Sequence, residues 1–187
     1  MSTNILLSLP KEVITMEILS RLPVKSILRF RSVCKTFVHL FSDLGQDEEF
    51  VKLHLSNALN NNYLNIMLTG DNQIYSVDYF DASSCKINAI EIDYPFKSHL
   101  IKEVHIWGSC NGLLCLGIKH MEDECICFWN PSTNEYKRIP TPPEYIMPYG
   151  QESYGFGYDC ANDDYKLVSL MFEINTAVVN NMFMLRR

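Results

Sequence analysis

The sequence predicts an α+β fold, in which three short helices precede a series of antiparallel β-sheets. Three observations support this. Apolar residues recur at three- and four-residue spacing through the first 44 positions, and a period of two replaces that spacing from Tyr63 onward. Turn-forming residues then separate short apolar runs about every 8–12 positions, as in proteins built from many short strands. The 187 residues suffice for one ordinary domain and a small module.

Prolines mark the beginning of the first two predicted helices. Pro10 and Pro23 each follow a leucine and precede an apolar run. Proline suits a first helical position because no backbone donor is needed there. Within the first helix Ile14, Ile18 and Leu22 recur at four-residue spacing, so they are predicted to form one apolar stripe.

A third predicted helix covers residues 37–44, where apolar side chains again recur at helical spacing. Together the three helices occupy only 36 residues, 9–44. Domains of fewer than about 40 residues rarely close a core unaided. We therefore expect this segment to need a partner.

Residues 46–62 are predicted to form a linker or an additional helix. An acidic break at residues 45–49 precedes an apolar run, residues 50–55, that could continue as a helix. A cluster of side-chain amides follows, comprising Asn57, Asn60, Asn61 and Asn62. Because such clusters are typical of loops, the helix is expected to end there.

The remainder of the chain is predicted to contain about ten strands. They cover residues 64–68, 74–80, 86–92, 104–107, 113–117, 125–129, 136–139, 154–158, 165–171 and 177–185. Gly70-Asp71-Asn72 predicts a turn, and Asn111-Gly112 between two apolar runs predicts a tight hairpin. Four prolines between residues 140 and 148 predict a loop.

The distribution of charge argues against a general nucleic-acid-binding protein. The net charge is −6, and residues 46–187 hold ten basic against nineteen acidic side chains. Residues 1–45 have the opposite balance, with six basic side chains and three acidic ones. This small excess of positive charge is suited to attraction of an acidic partner.

The cysteines and the apolar runs indicate a reducing compartment, cytoplasmic, nuclear or both. The seven cysteines are an odd number, and no secretory signal pattern precedes them. The longest uncharged apolar stretch, residues 112–118, is far shorter than a membrane span, so no membrane association is predicted.

No cofactor or metal site is predicted. Cys125 and Cys127 share one face of a strand, with Cys110, Cys115, His105 and His120 nearby in sequence. However, the chain has no Cys-x-x-Cys pair, and buried structural cysteines are common, so zinc is disfavoured. Gly155-x-Gly157 lacks the third glycine and the following helix of a dinucleotide fingerprint, so these glycines are read as points of strand bending or close packing.

Catalysis is not predicted, because Gly-x-Ser-x-Gly, Walker A and His-Glu-x-x-His motifs are all missing from the sequence. The aromatic residues near strand ends have two possible roles. Trp107, Trp129, Tyr154 and Tyr158 could line a recognition surface, although packing within sheets is the more common role of such residues.

The first segment resembles an F-box. The matching residues are Leu9-Pro10, Glu12, 18–26, 28–31 and 33–35. The resemblance implies three helices that dock on the carboxy-terminal helices of a Skp-family adaptor, and through it on a cullin–RING ubiquitin ligase. It implies adaptor contacts by Leu9, Pro10, Ile18, Leu22, Pro23, Leu28, Val33, Cys34 and Phe37. Phe37 stands where the family usually has tryptophan, so its smaller ring is expected to weaken docking without abolishing it.

The later segment resembles the F-box-associated region of plant F-box proteins, in particular the F-box/kelch-repeat group that includes pollen S-locus relatives. The resemblance rests on residues 108–115, 129–133, 154–159 and 164–168. It implies a kelch-like β-propeller. A propeller needs at least about four blades of four strands each, and ten strands are too few to form them. We therefore expect a partial propeller in a truncated member of the family.

The resemblances together imply a non-catalytic substrate-recognition subunit of a Skp–cullin–F-box ubiquitin ligase. The expected organisation is an F-box at residues 1–45, a linker or helix at 46–62, and an incomplete F-box-associated β domain at 63–187. The β domain would recruit a protein target whose identity and binding residues the sequence does not name. The alternative is a truncated F-box protein that binds the adaptor without presenting a target, as a competitor or a remnant.

Overall fold

The computed structural model describes residues 10–30, 44–45, 47–61, 65–78, 88–121, 123–140, 151–172 and 179–186. The chain divides into two compact units, Met1–Asn65 and Ile66–Arg187. Residues 37–43 of the third predicted helix and residues 141–150 of the predicted proline-rich loop lie outside the described residues.

The first unit is helical. It contains a π-helix, Val13–Ile18, continued by a 3₁₀ turn, Leu19–Arg21, and then the α-helices α1 (Val24–Phe30) and α2 (Glu48–Asn60). The carbonyl oxygen of Pro10 accepts hydrogen bonds from the amides of residues 13 and 14, and that of Pro23 accepts from the amides of residues 26 and 27. Both prolines therefore lie where a helical segment begins, with Pro23 directly before α1.

The prediction that Ile14, Ile18 and Leu22 form one apolar stripe is wrong. Ile14 and Leu22 pack against the buried cluster of the first unit, whereas Ile18 is 40% exposed. Ile14 and Ile18 lie in a π-helix, which has more residues per turn than an α-helix, and the 3₁₀ turn after them has fewer, so four-residue spacing does not mark one face from Ile14 to Leu22.

A small apolar core lies within the first unit. Its buried members are Leu19, Ile27, Leu44 and Phe50, and Ile14, Met16 and Leu22 pack around them. Because Phe50 belongs to α2, this helix supplies part of the core for the short helical segments that precede it.

Helix α2 extends into the predicted amide loop. The carboxylate of Asp47 caps its beginning by accepting hydrogen bonds from the amides of Glu49 (3.0 Å) and Phe50 (3.2 Å). The helix then continues through Asn57 and ends at Asn60, so the loop predicted at these two residues is wrong. The side chain of Asn57 is hydrogen-bonded to an earlier segment, and this offsets the low helical preference of asparagine.

The described part of the second unit contains ten strands, which together with the helical first unit confirms the α+β prediction. They are β1 (Asn65–Gly70), β2 (Gln73–Asp78), β3 (Ile90–Ile92), β4 (Ile101–Cys110), β5 (Leu113–His120), β6 (Glu124–Asn130), β7 (Glu135–Ile139), β8 (Gln151–Asp159), β9 (Asp164–Phe172) and β10 (Val179–Arg186). Each strand overlaps one of the predicted runs. They form three sheets with the orders β1-β2-β3, β4-β5-β6-β7 and β10-β9-β8, so strands that follow one another in sequence are neighbours in the sheet.

Two of the predicted turns have the backbone geometry of tight hairpins. Asp71 and Asn72 connect β1 to β2 with φ angles of 52° and 60°, and Asn111 and Gly112 connect β4 to β5 with 51° and 80°. Positive φ at both central residues is typical of the type I′ turn, whose backbone twist matches that of the two strands it joins. Asn-Gly is a favoured sequence for this turn. Local turn chemistry therefore sets the register of these hairpins.

The inner strands β5 and β6 of the four-stranded sheet β4-β5-β6-β7 are buried on both faces. One face packs Leu116, Cys127 and Trp129 in a cluster that includes Ile74 of β2. Residues of the opposite face form a second cluster with Leu167 of β9. A sheet covered on both sides needs apolar residues at consecutive positions, which explains the unbroken apolar runs of β5 and β6.

Candidate protein-binding surface

The first unit leaves several apolar side chains in contact with solvent although its core is small. Val13, Ile18 and Phe30 are 38%, 40% and 38% exposed. Pro10 and Pro23 are also exposed. Single exposed apolar residues are ordinary, but here five come from 21 consecutive residues, 10–30. This concentration makes the segment a candidate for protein binding.

The structure describes five of the nine predicted adaptor-contact residues. Pro10, Ile18 and Pro23 are exposed, whereas Leu22 and Leu28 are half-buried, and Leu22 packs against the core of the unit. The other four, Leu9, Val33, Cys34 and Phe37, lie outside the described residues. The assignment of these nine residues to an adaptor therefore stays a prediction.

Two exposed apolar residues of this segment were not in the predicted set. Val13 is the first residue of the π-helix, and Phe30 lies on α1 within the stretch that resembles an F-box. Phe30 lies within residues 28–31, one of the stretches on which the resemblance rests, so that stretch is the sequence signal that could have placed it among the contact residues.

Basic side chains accompany this apolar surface. Lys25 and Arg29 are exposed on α1, and Arg21 forms a 2.9 Å ion pair with Glu17 one turn earlier. Exposed ion pairs of this kind contribute little to stability. The charges are therefore better suited to attracting a partner than to holding the unit together.

Aromatic residues of the second unit mainly serve packing, as expected. Trp129 is 1% exposed, and its Nε1 donates a hydrogen bond to Oδ1 of Asn134 at 3.2 Å. Trp107 and Tyr154 are half-buried and stack on each other. The hydroxyl of Tyr158 donates to the carboxylate of Asp163, and this bond raises the pKa of Tyr158 to about 12.

Of the two roles predicted for Gly155 and Gly157, close packing is wrong, whereas strand bending stays a prediction. A Cβ atom added at either position would meet no atom within 4 Å. Close packing occurs instead at Gly108, where a Cβ would lie 2.8 Å from Cβ of Phe156, and at Gly117, where it would overlap the indole of Trp107. These two glycines therefore let aromatic rings approach the sheet backbone.

The cysteines of the middle sheet behave as small apolar residues. Cys115, Cys125 and Cys127 are buried. Burial raises the pKa of Cys115 and of Cys127 to about 12, so both are neutral thiols at physiological pH. Within the described ranges, no group of three or more histidine, cysteine, aspartate or glutamate side chains could hold a metal ion.

An open, polar cavity of about 770 Å³ lies in the second unit, beside the β1–β2 turn and the segment between β3 and β4. Its walls are held by side-chain hydrogen bonds: Oη of Tyr94 donates to the carbonyl of Asn72 at 2.8 Å, and Nζ of Lys97 lies 2.7 Å from the carboxylate of Glu91. Phe96 in the same wall has a φ of 65°, which is unusual for a bulky residue. The cavity is an open depression lined by polar and aromatic side chains.

In the part of the chain that the structure describes, no helix is long and apolar enough to span a membrane.

Comparison with known families gives two matches along the chain. Residues 64–182 match the F-box associated beta propeller domain, and residues 6–47 match the F-box domain. The first covers well over half of the 187 residues. No solved structure gives a significant match.

Several Arabidopsis thaliana proteins are similar to most of this chain. F-box protein CPR1 is 32% identical over 176 residues, which is 90% of this chain and 39% of that protein. Putative F-box protein At3g16210 is 31% identical, over 91% of this chain and 43% of its own length. F-box/kelch-repeat protein At3g23880 is 28% identical, over 88% of this chain and 45% of its own length. The chain thus spans about two fifths of the length of these relatives.

The described strands form three sheets, whereas propellers have roughly four to eight blades. The expectation that this chain alone does not close a propeller stays a prediction.

Proposed function

Because the chain belongs to the plant F-box proteins that carry an F-box-associated β-propeller domain, we propose that it acts as the substrate-recognition subunit of a Skp–cullin–F-box ubiquitin ligase. Its F-box binds a Skp-family adaptor, which connects it to a cullin–RING ligase. Its β unit binds a target protein.

The observation that carries this proposal is the exposure of apolar side chains within the F-box match. Ile18 is 40% exposed although the next residue, Leu19, is only 4% exposed and belongs to the core. Burial of apolar area against a partner is favourable by about 25 cal/mol per Å² before the costs of association. A helical unit with few buried residues and several exposed ones therefore gains from docking.

The chain contributes no bond-making chemistry in this function. It holds the ligase through one unit and a target through the other, and so raises the effective concentration of target lysines near the ubiquitin-conjugating enzyme. Its influence on the rate of ubiquitin transfer then depends on the two affinities and on how long the target stays bound.

Target binding is assigned to the second unit. The polar cavity beside Tyr94 and Lys97 supports this assignment, because it combines hydrogen-bonding groups with a partly exposed aromatic ring, Phe96. Binding surfaces commonly combine a concave shape with a few fixed polar groups.

Co-purification tests the proposed function. The full chain is co-expressed with a Skp-family adaptor and a cullin, and the complex is recovered through the cullin. We expect the wild-type chain to be retained and the variant Leu22→Ala with Pro23→Ala to be lost. Circular dichroism of the variant establishes that it is folded. Retention of the folded variant at the wild-type level would remove the adaptor-binding assignment.

A further inference from the structure

One face of α2 is directed at the helical segments that precede it. Phe50, His54 and Asn57 are spaced by four and three residues, so they lie on the same side of the helix. Phe50 is 6% exposed and packs in the core, and its ring centroid lies 5.9 Å from that of His54. On this face Phe50 makes apolar contacts, whereas His54 and Asn57 form hydrogen bonds.

Asn57 satisfies a buried polar residue of the 3₁₀ turn. Its Nδ2 donates to the carbonyl oxygen and to Oγ of Ser20, with both distances 3.2 Å. Ser20 is 1% exposed, and its hydroxyl donates to the carbonyl of Met16. Loss of Asn57 would therefore remove partners from groups that are shielded from water, which is costlier than loss of a surface hydrogen bond.

His54 forms a hydrogen bond to Leu22, two residues after Ser20. Its Nε2 donates to the carbonyl oxygen of Leu22 at 2.8 Å. The amide of Leu22 donates in turn to the carbonyl of Leu19 at 3.1 Å, and Leu22 itself is extended with a ψ of 147°. The chain is thus fixed at the point where it leaves the 3₁₀ turn for α1.

We propose that α2 is part of the adaptor-docking module, and that His54 and Asn57 are positioning residues that hold the turn between Ile18 and Pro23 in its docking conformation. This rests on the proposed function. The F-box match ends at residue 47, before α2 begins. The bonds from α2 nevertheless reach residues 20 and 22, directly between two exposed residues predicted to contact the adaptor.

The physical reason is preorganisation. A turn held in one conformation before binding loses less conformational freedom on docking than a turn that must become ordered at that moment. Without the two α2 bonds the 3₁₀ turn and the beginning of α1 would sample several orientations. The affinity for the adaptor would then fall although no residue in contact with it had changed.

The experiment compares four single variants in the full chain. His54→Leu and Asn57→Leu remove the donors while keeping similar volume. His54→Gln keeps a side-chain donor of similar reach and serves as the rescue. Lys52→Ala is the matched control, because it removes only an exposed 3.3 Å ion pair with Glu48 on the same helix. Adaptor affinity is measured by calorimetry, helical content by circular dichroism, and the Leu22 amide by hydrogen exchange.

We expect His54→Leu and Asn57→Leu to weaken adaptor binding by about tenfold or more with helical content retained, and to accelerate exchange of the Leu22 amide. His54→Gln should restore most of the affinity, and Lys52→Ala should leave it unchanged. Wild-type affinity and exchange in both leucine variants would overturn this assignment alone. A wild-type chain that does not bind the adaptor would defeat the proposed function and this assignment with it.

Discussion

The indole ring of Trp107 stacks on the phenol ring of Tyr154, with centroids 3.6 Å apart and planes 9° from parallel. Trp107 lies on β4 and Tyr154 on β8, so the pair joins the middle sheet to the sheet formed by β8, β9 and β10. The same indole covers Gly117 of β5 so closely that the position has no space for a side chain. One aromatic ring therefore joins two sheets, and a glycine makes room for it.

Gly117→Ala should destabilise the second unit. The new Cβ would overlap the indole of Trp107, and overpacking of a well-filled site typically costs about 1–3 kcal/mol of unfolding free energy. Gly155→Ala is the matched control, since a Cβ there meets nothing within 4 Å, and alanine should be neutral or slightly stabilising. Urea unfolding followed by tryptophan fluorescence measures both, and equal effects of the two variants would contradict this packing.

Alkylation by a thiol reagent should separate the cysteines by burial. Cys160 is exposed and should react readily at pH 8, whereas Cys115 and Cys127 are fully buried, and burial raises the pKa of each to about 12. Reaction of the buried pair requires local opening, so we expect it to be slower by roughly 100-fold. Mass spectrometry of peptides after timed alkylation measures the rates, and similar rates at Cys115 and Cys160 would refute the sheet packing.

The stability of the second unit should fall in alkaline solution. The unfolded thiols of Cys115 and Cys127 have a pKa near 9.0, and the folded ones near 12, so between these values the unfolded chain loses protons that the folded chain keeps. The unfolding free energy should therefore decrease as the pH rises from about 9 towards 12, with no contribution from these thiols below pH 9. Tyr158, whose folded pKa is also raised, contributes in the same direction.

Denaturant unfolding at several pH values between 8 and 11 measures this dependence. Cys127→Ala is the informative variant, because it removes one of the two thiols and should make the decrease with pH shallower than in the wild type. An unchanged slope in Cys127→Ala would show that the thiol at this position does not carry the effect.

The features that local chemistry determines could be predicted from the sequence. Asn111-Gly112 favours positive φ at both positions, so the β4–β5 hairpin follows from the two residues themselves. Prolines at 10 and 23 mark helix beginnings for a similar reason: the carbonyl of each accepts the first helical hydrogen bonds, and proline needs no donor there.

The features that depend on a distant partner could not be predicted. Asn57 is an ordinary loop residue by composition, and only its bonds to Ser20 explain why the helix continues past it. Gly117 and Gly155 are indistinguishable as strand glycines, and only the position of Trp107 gives the first a packing role. Ile18 has the four-residue spacing of an α-helical core stripe, yet it lies in a π-helix and is 40% exposed.

The adaptor affinity of Ile18→Asp tests the central claim most directly. Ile18 is 40% exposed, so the substitution leaves the core intact, and Val51→Asp is its matched control because Val51 is 47% exposed on α2 and outside the predicted contact set. Calorimetric titration of the full chain with a Skp-family adaptor should give saturable binding for the wild type and for Val51→Asp. Ile18→Asp should lose on the order of 2 kcal/mol, or about 30-fold in Kd. Equal affinity of the wild type and Ile18→Asp would contradict docking through this surface, and no binding by the wild type would contradict adaptor binding itself.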